Sequence, residues 1–586
     1  SKTQVPLKAR CGCWVPQPDS GAHSKSSRLP LQVKIASYGK KDYTIKKRCG
    51  VRPAGQDAGD ETMKRRDFCK GLAVTFAAGT LAPAAALPQA GAATALVGRA
   101  VPDDYYTLWY RSDRCGADLR HDYYYSDSLF DHPATEYDNQ LALATLGMAA
   151  AADCTWESDQ RYWMEGEVGR ADHIRDAFAK LGFTEVQLFN YTHSLNDTPD
   201  TVGCAIARKT LVRGGRQVTI IGAFLRGSGY GAEWSGNLHA GPGSAHVGFV
   251  TAARQLVEKI RAYVQASAKR QPLGTLKLWM GGYSRGGGVA NLVAARLPAV
   301  LPQLEKKNTF VYTFAAPASL TAADCPDLQQ DYDNNHAADG SLKKNWGTSN
   351  IFNIVSSGDV IPRILPAEWG FYRNGNDRFL PSTVIPEELQ ALNDRSAGME
   401  GTPMDFGRLA VSEETDAVLR SMLDLFCDRQ TYYKGYEDAM RCMLQCATTR
   451  TEEEVTRGIV RDDAAVVAQL RSMELMQRFP QEKLERCVQA ASALSRPVLE
   501  KLGSAVPLQA QQIVIPMLAV GLCFELQPET VQLVADFVLS TITVKGQLSG
   551  ILKTVLCHFQ ENYITVLEAY DPADHGMTPY TRREEL

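Results

Sequence analysis

Leu276-Lys277-Leu278-Trp279-Met280-Gly281-Gly282-Tyr283-Ser284-Arg285-Gly286-Gly287-Gly288-Val289-Ala290-Asn291-Leu292-Val293-Ala294-Ala295 is the stretch on which the fold turns. Its first five residues read as a short apolar strand, and the run from Gly288 through Leu297 reads as a helix. Between them, Gly282-Tyr283-Ser284-Arg285-Gly286 is the one Gly-x-Ser-x-Gly in the chain. A serine can act as a nucleophile there because the tight strand-to-helix turn lifts its hydroxyl above the sheet. Small residues on either side relieve the crowding that such a turn creates. Strand, elbow and helix are therefore predicted in that order, with Ser284 as the candidate nucleophile.

Moving outward, the same alternation recurs. Val218–Leu225 (VTIIGAFL) is a strand-length apolar run, 247–267 reads as a helix, and Phe310–Phe314 and Ile351–Val355 are further strands. Nearly continuous apolar strands separated by helices predict a mostly parallel sheet covered on both faces, an α/β fold. The character changes after Pro386. Residues 386–550 read as helical throughout, with Thr451-Glu452-Glu453-Glu454 as a capping box. The expected organisation is an α/β core over 96–385, a helical insertion or cap over 386–550 and a C-terminal segment over 551–586. Ile513–Phe524 is strongly apolar but too short to cross a bilayer. It is expected to be a core helix of the cap, the alternative being a lipid-facing surface.

Several segments around the elbow resemble the class 3 lipase branch of the α/β-hydrolases, which includes the fungal triacylglycerol lipases. Ala223-Phe224-Leu225-Arg226-Gly227-Ser228 is similar to that family's strand-end Arg-Gly-Ser/Thr segment, and His246-Val247-Gly248-Phe249 to its His-x-Gly-Phe helix start. Tyr312-Thr313-Phe314-Ala315-Ala316-Pro317 resembles the strand after the elbow, and Gly358-Asp359-Val360-Ile361-Pro362 the acid-bearing turn. The resemblance spans roughly 200–370 plus one histidine far downstream. Fungal members usually carry His and Leu where this chain has Tyr283 and Arg285.

The resemblance implies an α/β-hydrolase with the chain order serine, acid, histidine. Asp359 follows the strand Ile351–Val355 and is the expected acid. Only His558 and His575 come after it. His558 lies in a segment similar to the histidine-bearing end of bacterial relatives, whereas His575 sits in an acidic tail, so His558 is the expected base. The backbone N–H of Arg285, next after the nucleophile, is one expected oxyanion donor. The resemblance implies Ser228 as the second. His246 is expected to serve structure, and Arg226 to brace the strand end through a buried pairing. Trp234 and Tyr230 are left open between pocket or lid and loop packing.

Charge is unevenly spread along the chain. Residues 1–70 carry 16 Lys and Arg against 6 Asp and Glu, and the remainder carries 47 against 60. An acidic body without a basic stripe excludes nucleic-acid binding, which needs clustered cations against phosphate. Arg65 and Arg66, followed by Phe68, Lys70 and an uncharged Ala-rich stretch over 71–95, resemble a twin-arginine export signal over 63–95. That resemblance implies a bacterial host, recognition of the precursor by the twin-arginine export machinery, and a periplasmic or extracellular destination. Translation is expected to begin at Met63, with 1–62 either upstream of the true start or a basic disordered extension. Ten cysteines follow the signal, at 115, 154, 204, 325, 427, 442, 446, 487, 523 and 557, none with zinc-ligand spacing and histidine support. No metal or organic cofactor is implied.

The resulting expectation is an exported serine ester hydrolase, a lipase or carboxylesterase, acting on a small-molecule or lipid ester, with a lipid interface as an open option. Two alternatives stay open: a non-catalytic scaffold of the same fold that binds a partner, and a serine peptidase.

Overall fold

The computed structural model describes residues 100–112, 117–153, 166–167, 171–193, 199–228, 231–242, 245–321, 347–380, 412–426, 428–449, 457–503, 508–531, 553–554 and 556–569. The expected extension 1–62, the export signal 63–95, the capping box at 451–454, Tyr230, His575 and the cysteines at 115, 154, 325 and 427 lie outside these residues.

The chain opens with an antiparallel hairpin, β1 (Asp104–Ser112) and β2 (Ala117–Tyr125), followed by the helices α1 (Asn139–Ala151) and α2 (Asp172–Lys180). The central sheet then assembles from β3 (Thr184–Phe189), β4 (Cys204–Arg213), β5 (Arg216–Leu225), β6 (Thr275–Tyr283), β7 (Thr309–Phe314), β8 (Ile351–Ser356) and β9 (Asn376–Leu380). Its order is β9-β8-β7-β6-β5-β4-β3. The four pairings from β9 to β5 are parallel, while β5–β4 and β4–β3 are antiparallel. The helices α3 (Gly231–Gly236), α4 (Val247–Arg270) and α5 (Arg285–Val300) join these strands. This is the mostly parallel α/β fold expected from the alternation.

Period-two packing explains why both faces are apolar. On β6, Leu276, Leu278 and Met280 enter the core under α4 and α5, whereas Trp279 and Tyr283 point into the core under α1. On β5, Ile221, Ala223 and Leu225 face the first of these layers, and Ile220 and Phe224 the second. Trp279 Nε1 donates to Thr145 Oγ1 at 2.7 Å, so α1 is tied by hydrogen bond as well as by packing to the strand that leads into the elbow.

The strand β4 was not legible as such. Its sequence, CAIARKTLVR, places Arg208 and Lys209 in the sheet, and both are buried. Burial is tolerated because each cation meets an anion: Arg208 pairs with Glu185 at 2.6 Å and Lys209 with Asp127 at 2.5 Å. Breaking either pair would strand a charge away from water.

Beyond the sheet, the described helices are α6 (Ser412–Phe426), α7 (Arg429–Gly435), α8 (Glu437–Thr448), α9 (Asp463–Ser472), α10 (Gln481–Leu502), α11 (Leu508–Cys523) and α12 (Gln560–Ala569). From α8 to α11 they enclose a core of their own, in which Met443, Leu470, Met476, Leu484, Val488, Ile515 and Val520 are buried. The apolar run at 513–524 belongs to this core, so its burial is internal to the cap. Among the described residues no helix is long and apolar enough to cross a membrane. Cys204, Cys442, Cys446, Cys487, Cys523 and Cys557 are free thiols.

The cap helices are seated on the core by the burial of Phe426 and Tyr432 against Ala240, Ala318, Leu365 and Phe371 and by polar contacts. Thr415 Oγ1 donates to Gly358 O at 2.9 Å, Arg363 pairs with Asp416, Arg429 donates to Gly241 O at 2.8 Å, and Glu437 accepts from Gly241 N at 2.8 Å. Finally, α12 packs against α1 beneath the sheet.

The elbow is the tightest point of this arrangement. A Cβ on Gly286 would stand 2.4 Å from Arg226 O and 2.5 Å from Leu225 O, and one on Gly282 would stand 2.4 Å from Gly286 O. The obstacles are backbone atoms at the end of β5 and in the first turn of α5, which cannot swing aside. Gly286→Ala is therefore expected to lower unfolding stability by about 1–3 kcal/mol, the usual cost of overpacking. A denaturant midpoint unchanged from the parent would contradict the close approach.

Candidate active site

Ser284 stands at the junction of β6 and α5 with φ 53° and ψ −124°. This positive-φ state is costly for a residue with a Cβ. It is held by the sheet on one side, where Ser284 N donates to Phe314 O at 2.9 Å, and by the helix on the other, where Gly288 N donates to Ser284 O at 3.0 Å. The turn leaves Ser284 half-buried while its neighbours on both sides are buried.

The structure brings the three residues Ser284, Asp359 and His558 into one hydrogen-bonded chain. His558 Nε2 lies 2.9 Å from Ser284 Oγ, and His558 Nδ1 lies 2.8 Å from Asp359 Oδ2. Asp359 is fully buried in the turn after β8, and its Oδ1 accepts from Ile361 N at 2.9 Å. The carboxylate acceptor assigns the proton of the imidazole to Nδ1, which leaves Nε2 with a lone pair directed at the serine hydroxyl.

Two tyrosines that sequence reasoning did not single out complete this chain. Tyr563, on α12 five residues after the histidine, donates its hydroxyl to Asp359 Oδ2 at 2.8 Å and accepts from Ser356 N at 3.0 Å. Tyr283, immediately before the nucleophile, donates its hydroxyl to His558 O at 2.5 Å, and its ring packs on His558 and Tyr563. Burial raises the pKa of both phenols well above its ordinary value, so both remain neutral donors. A signal for Tyr283 was available: it fills the position where fungal members usually carry His. Nothing in the local sequence marked Tyr563.

The expected oxyanion donors come from two elements. Arg285 N belongs to the first turn of α5, directly after Ser284. Ser228 lies just beyond the end of β5 and is buried. The strand end abuts the elbow, as a Cβ placed on Gly227 would stand 3.9 Å from Tyr283 O. Asn237 Nδ2 donates to Ser228 Oγ at 2.8 Å, and Arg285 Nη1 donates to Asn237 Oδ1 at 2.8 Å. A guanidinium can only donate, so it fixes which end of the Asn237 amide faces Ser228. The Ser228 hydroxyl is thereby an acceptor toward Asn237 and keeps its own proton for another partner.

Arg226 braces this strand end as expected. It pairs with the fully buried Glu233 at 2.7 Å and donates to Asn190 O at 2.9 Å and Gly227 O at 3.0 Å. His246 is a helix cap: its Nδ1 accepts from Phe249 N at 3.2 Å, and its Nε2 bonds Asn237 O at 3.0 Å. Burial drives its pKa down to about 3, so it is neutral and structural. Trp234 is partly buried and packs against the core beneath α1. Among the described residues no group of His, Cys, Asp and Glu is arranged to hold a metal ion.

Comparison with solved structures gives partial overlaps. A lipase–propeptide complex from Rhizomucor miehei matches at 20% identity and a TM-score of 0.28, covering 41% of this chain and 68% of that one. Lipase II from Rhizopus niveus matches at 15% identity and a TM-score of 0.27, covering 41% and 80%. Among curated proteins there is no match. The matching family is described as lipase (class 3), and the matched segment runs from Ser228 across the elbow and the Asp359 turn to Trp369. Residues 228–369 of this chain are similar to the lipase (class 3) family.

Proposed function

We propose that the protein is a serine ester hydrolase of the lipase type that works through a Ser284–His558–Asp359 triad and an acyl-enzyme intermediate. The observation that carries this reading is the unbroken hydrogen-bond chain from Ser284 Oγ through both nitrogens of His558 to Asp359. His558 Nε2 takes the Ser284 proton as Oγ attacks the ester carbonyl, then returns it to the departing alcohol. Water repeats the cycle on the acyl-enzyme. Asp359 keeps the imidazole in the required tautomer and stabilises the imidazolium, while Tyr563 holds the carboxylate in line. The tetrahedral oxyanion is received by Arg285 N–H and by Ser228, whose hydroxyl proton the Asn237 bond leaves available.

The substrate proposed is a carboxylic ester dispersed in water. The strongly apolar run at 513–524 is spent on the cap's own core, which supports turnover of dispersed esters. With the full chain, p-nitrophenyl acetate and butyrate are expected to be cleaved without any lipid interface. Ser284→Ala should lower kcat by about 10⁴-fold or more, and Ser228→Ala by about 10²–10³-fold with KM little changed. Turnover surviving in Ser284→Ala would overturn the reading. A requirement for both a palmitoyl chain and an interface would reassign the substrate to aggregated long-chain lipid.

Export is a separate proposal, supported by the arginine pair and the uncharged stretch that follows it. Replacing Arg65 and Arg66 by Lys is expected to hold a fused reporter in the cytoplasm of a bacterial host, read by cell fractionation. A reporter exported equally well by both sequences would contradict the twin-arginine route.

A further inference from the structure

The reaction as described leaves one acidic group beside the site unused. Asp153 follows the C-terminus of α1, where Asp153 N donates to Ala150 O at 3.1 Å and Tyr191 donates its hydroxyl to Ala152 O at 2.6 Å. Its two carboxylate oxygens reach different parts of the centre. Oδ1 accepts from Gly227 N at 2.8 Å, in the residue before Ser228. Oδ2 accepts from Nε2 of Gln560, the residue two positions after His558. The strand end and the histidine segment are otherwise brought to the site by unrelated parts of the chain.

We propose that Asp153 is a positioning residue of this centre, a single carboxylate that locks the strand end carrying Ser228 to the segment carrying His558. The proposal rests on the serine hydrolase reading above and deepens it. Two consequences follow from the geometry. The Gly227 N–H is consumed by Asp153, which leaves Ser228 and Arg285 as the donors for the oxyanion. The carboxylate also stands within electrostatic reach of His558, so its negative charge adds to that of Asp359 when the imidazolium forms.

Ionisation then matters. The residue as a whole is only half-buried, but its carboxyl group is enclosed, and burial pushes its pKa up to about 6. The Gly227 N–H, Arg226, Gln560 and His558 pull the other way without offsetting the burial. The charged and titratable groups facing it are Arg226 from the end of β5, His558 from the C-terminal segment and Tyr283 from the elbow. Above about pH 6 Asp153 is an anion and makes two charge-assisted bonds; below it the group is neutral and both weaken.

The test compares full-length parent and Asp153→Asn on a dispersed short-chain p-nitrophenyl ester from pH 5 to 8.5. Asparagine keeps the shape and an acceptor for Gly227 N–H but carries no charge at any pH. At pH 8 the variant is expected to show kcat about tenfold or more below the parent with KM within twofold. The two profiles should converge as the pH falls below about 6, where the parent's own carboxyl is protonated. A merely structural role would give one constant ratio at every pH, and that result, or equality at pH 8, overturns the proposal. Gln560→Glu is the second variant. A carboxylate placed against Asp153 raises its pKa further and should move the acidic fall of activity to higher pH; an unmoved limb counts against the proposal even where Asp153→Asn fails to fold. Labelling of the parent's Ser284 by a fluorophosphonate reads the underlying hydrolase assignment separately: an unlabelled serine would sink that assignment, whereas a labelled one with coincident pH profiles would sink only the role of Asp153.

Discussion

The strained turn at Ser284 is the constraint from which the rest of the structure follows. A φ of 53° with ψ of −124° costs of order 1–3 kcal/mol for a residue bearing a Cβ. It persists because β6 and α5 are each fixed independently and leave the chain between them no other path. Trp279 anchors β6 to α1, and Asn291 of α5 donates to Asn353 Oδ1 on β8 and to Asn374 O. Gly282 and Gly286 give the backbone room to close. Local strain at one serine is thus carried by a sheet and two helices, and the same closure brings the end of β5 against the elbow.

How much of this was legible depends on whether a feature is local. The elbow announces itself by glycine spacing, and the parallel strands by apolar runs of the right length. Ser284, Asp359 and His558 were accessible because the fold constrains their order along the chain. The strand β4 was hidden because Arg208 and Lys209 break its apolar run, and only their pairing with Glu185 and Asp127 makes burial acceptable. Asp153 and Tyr563 were hidden for a related reason. Each acts through a partner distant in sequence, Gly227 for one and Asp359 for the other, and no spacing rule points to such a pair.

The cap helices illustrate a different balance. They are apolar enough to hold a core of their own, with α11 at its centre, and they meet the α/β core through a small buried cluster around Phe426, Tyr432, Leu365 and Phe371 and through polar contacts. Those contacts are not scattered. Thr415 reaches the carbonyl of Gly358, beside Asp359, and Lys553, in the segment before His558, pairs with Glu414 of α6 at 2.7 Å. Arg429 and Glu437 both bond the backbone of Gly241, in the loop that follows Asn237 and α3. The insertion therefore buttresses both the acid turn and the segment flanking the proposed oxyanion residue.

The bond between His558 and Asp359 joins residues 199 positions apart. Ribosomes add about 5–20 residues per second, so roughly 10–40 s separate the appearance of the acid from that of its histidine. During that interval the elbow can fold with its serine in place, yet the base that would activate it has not been made. On the proposed triad, a nascent chain is in this sense chemically silent until His558 has emerged and α12 docks under α1.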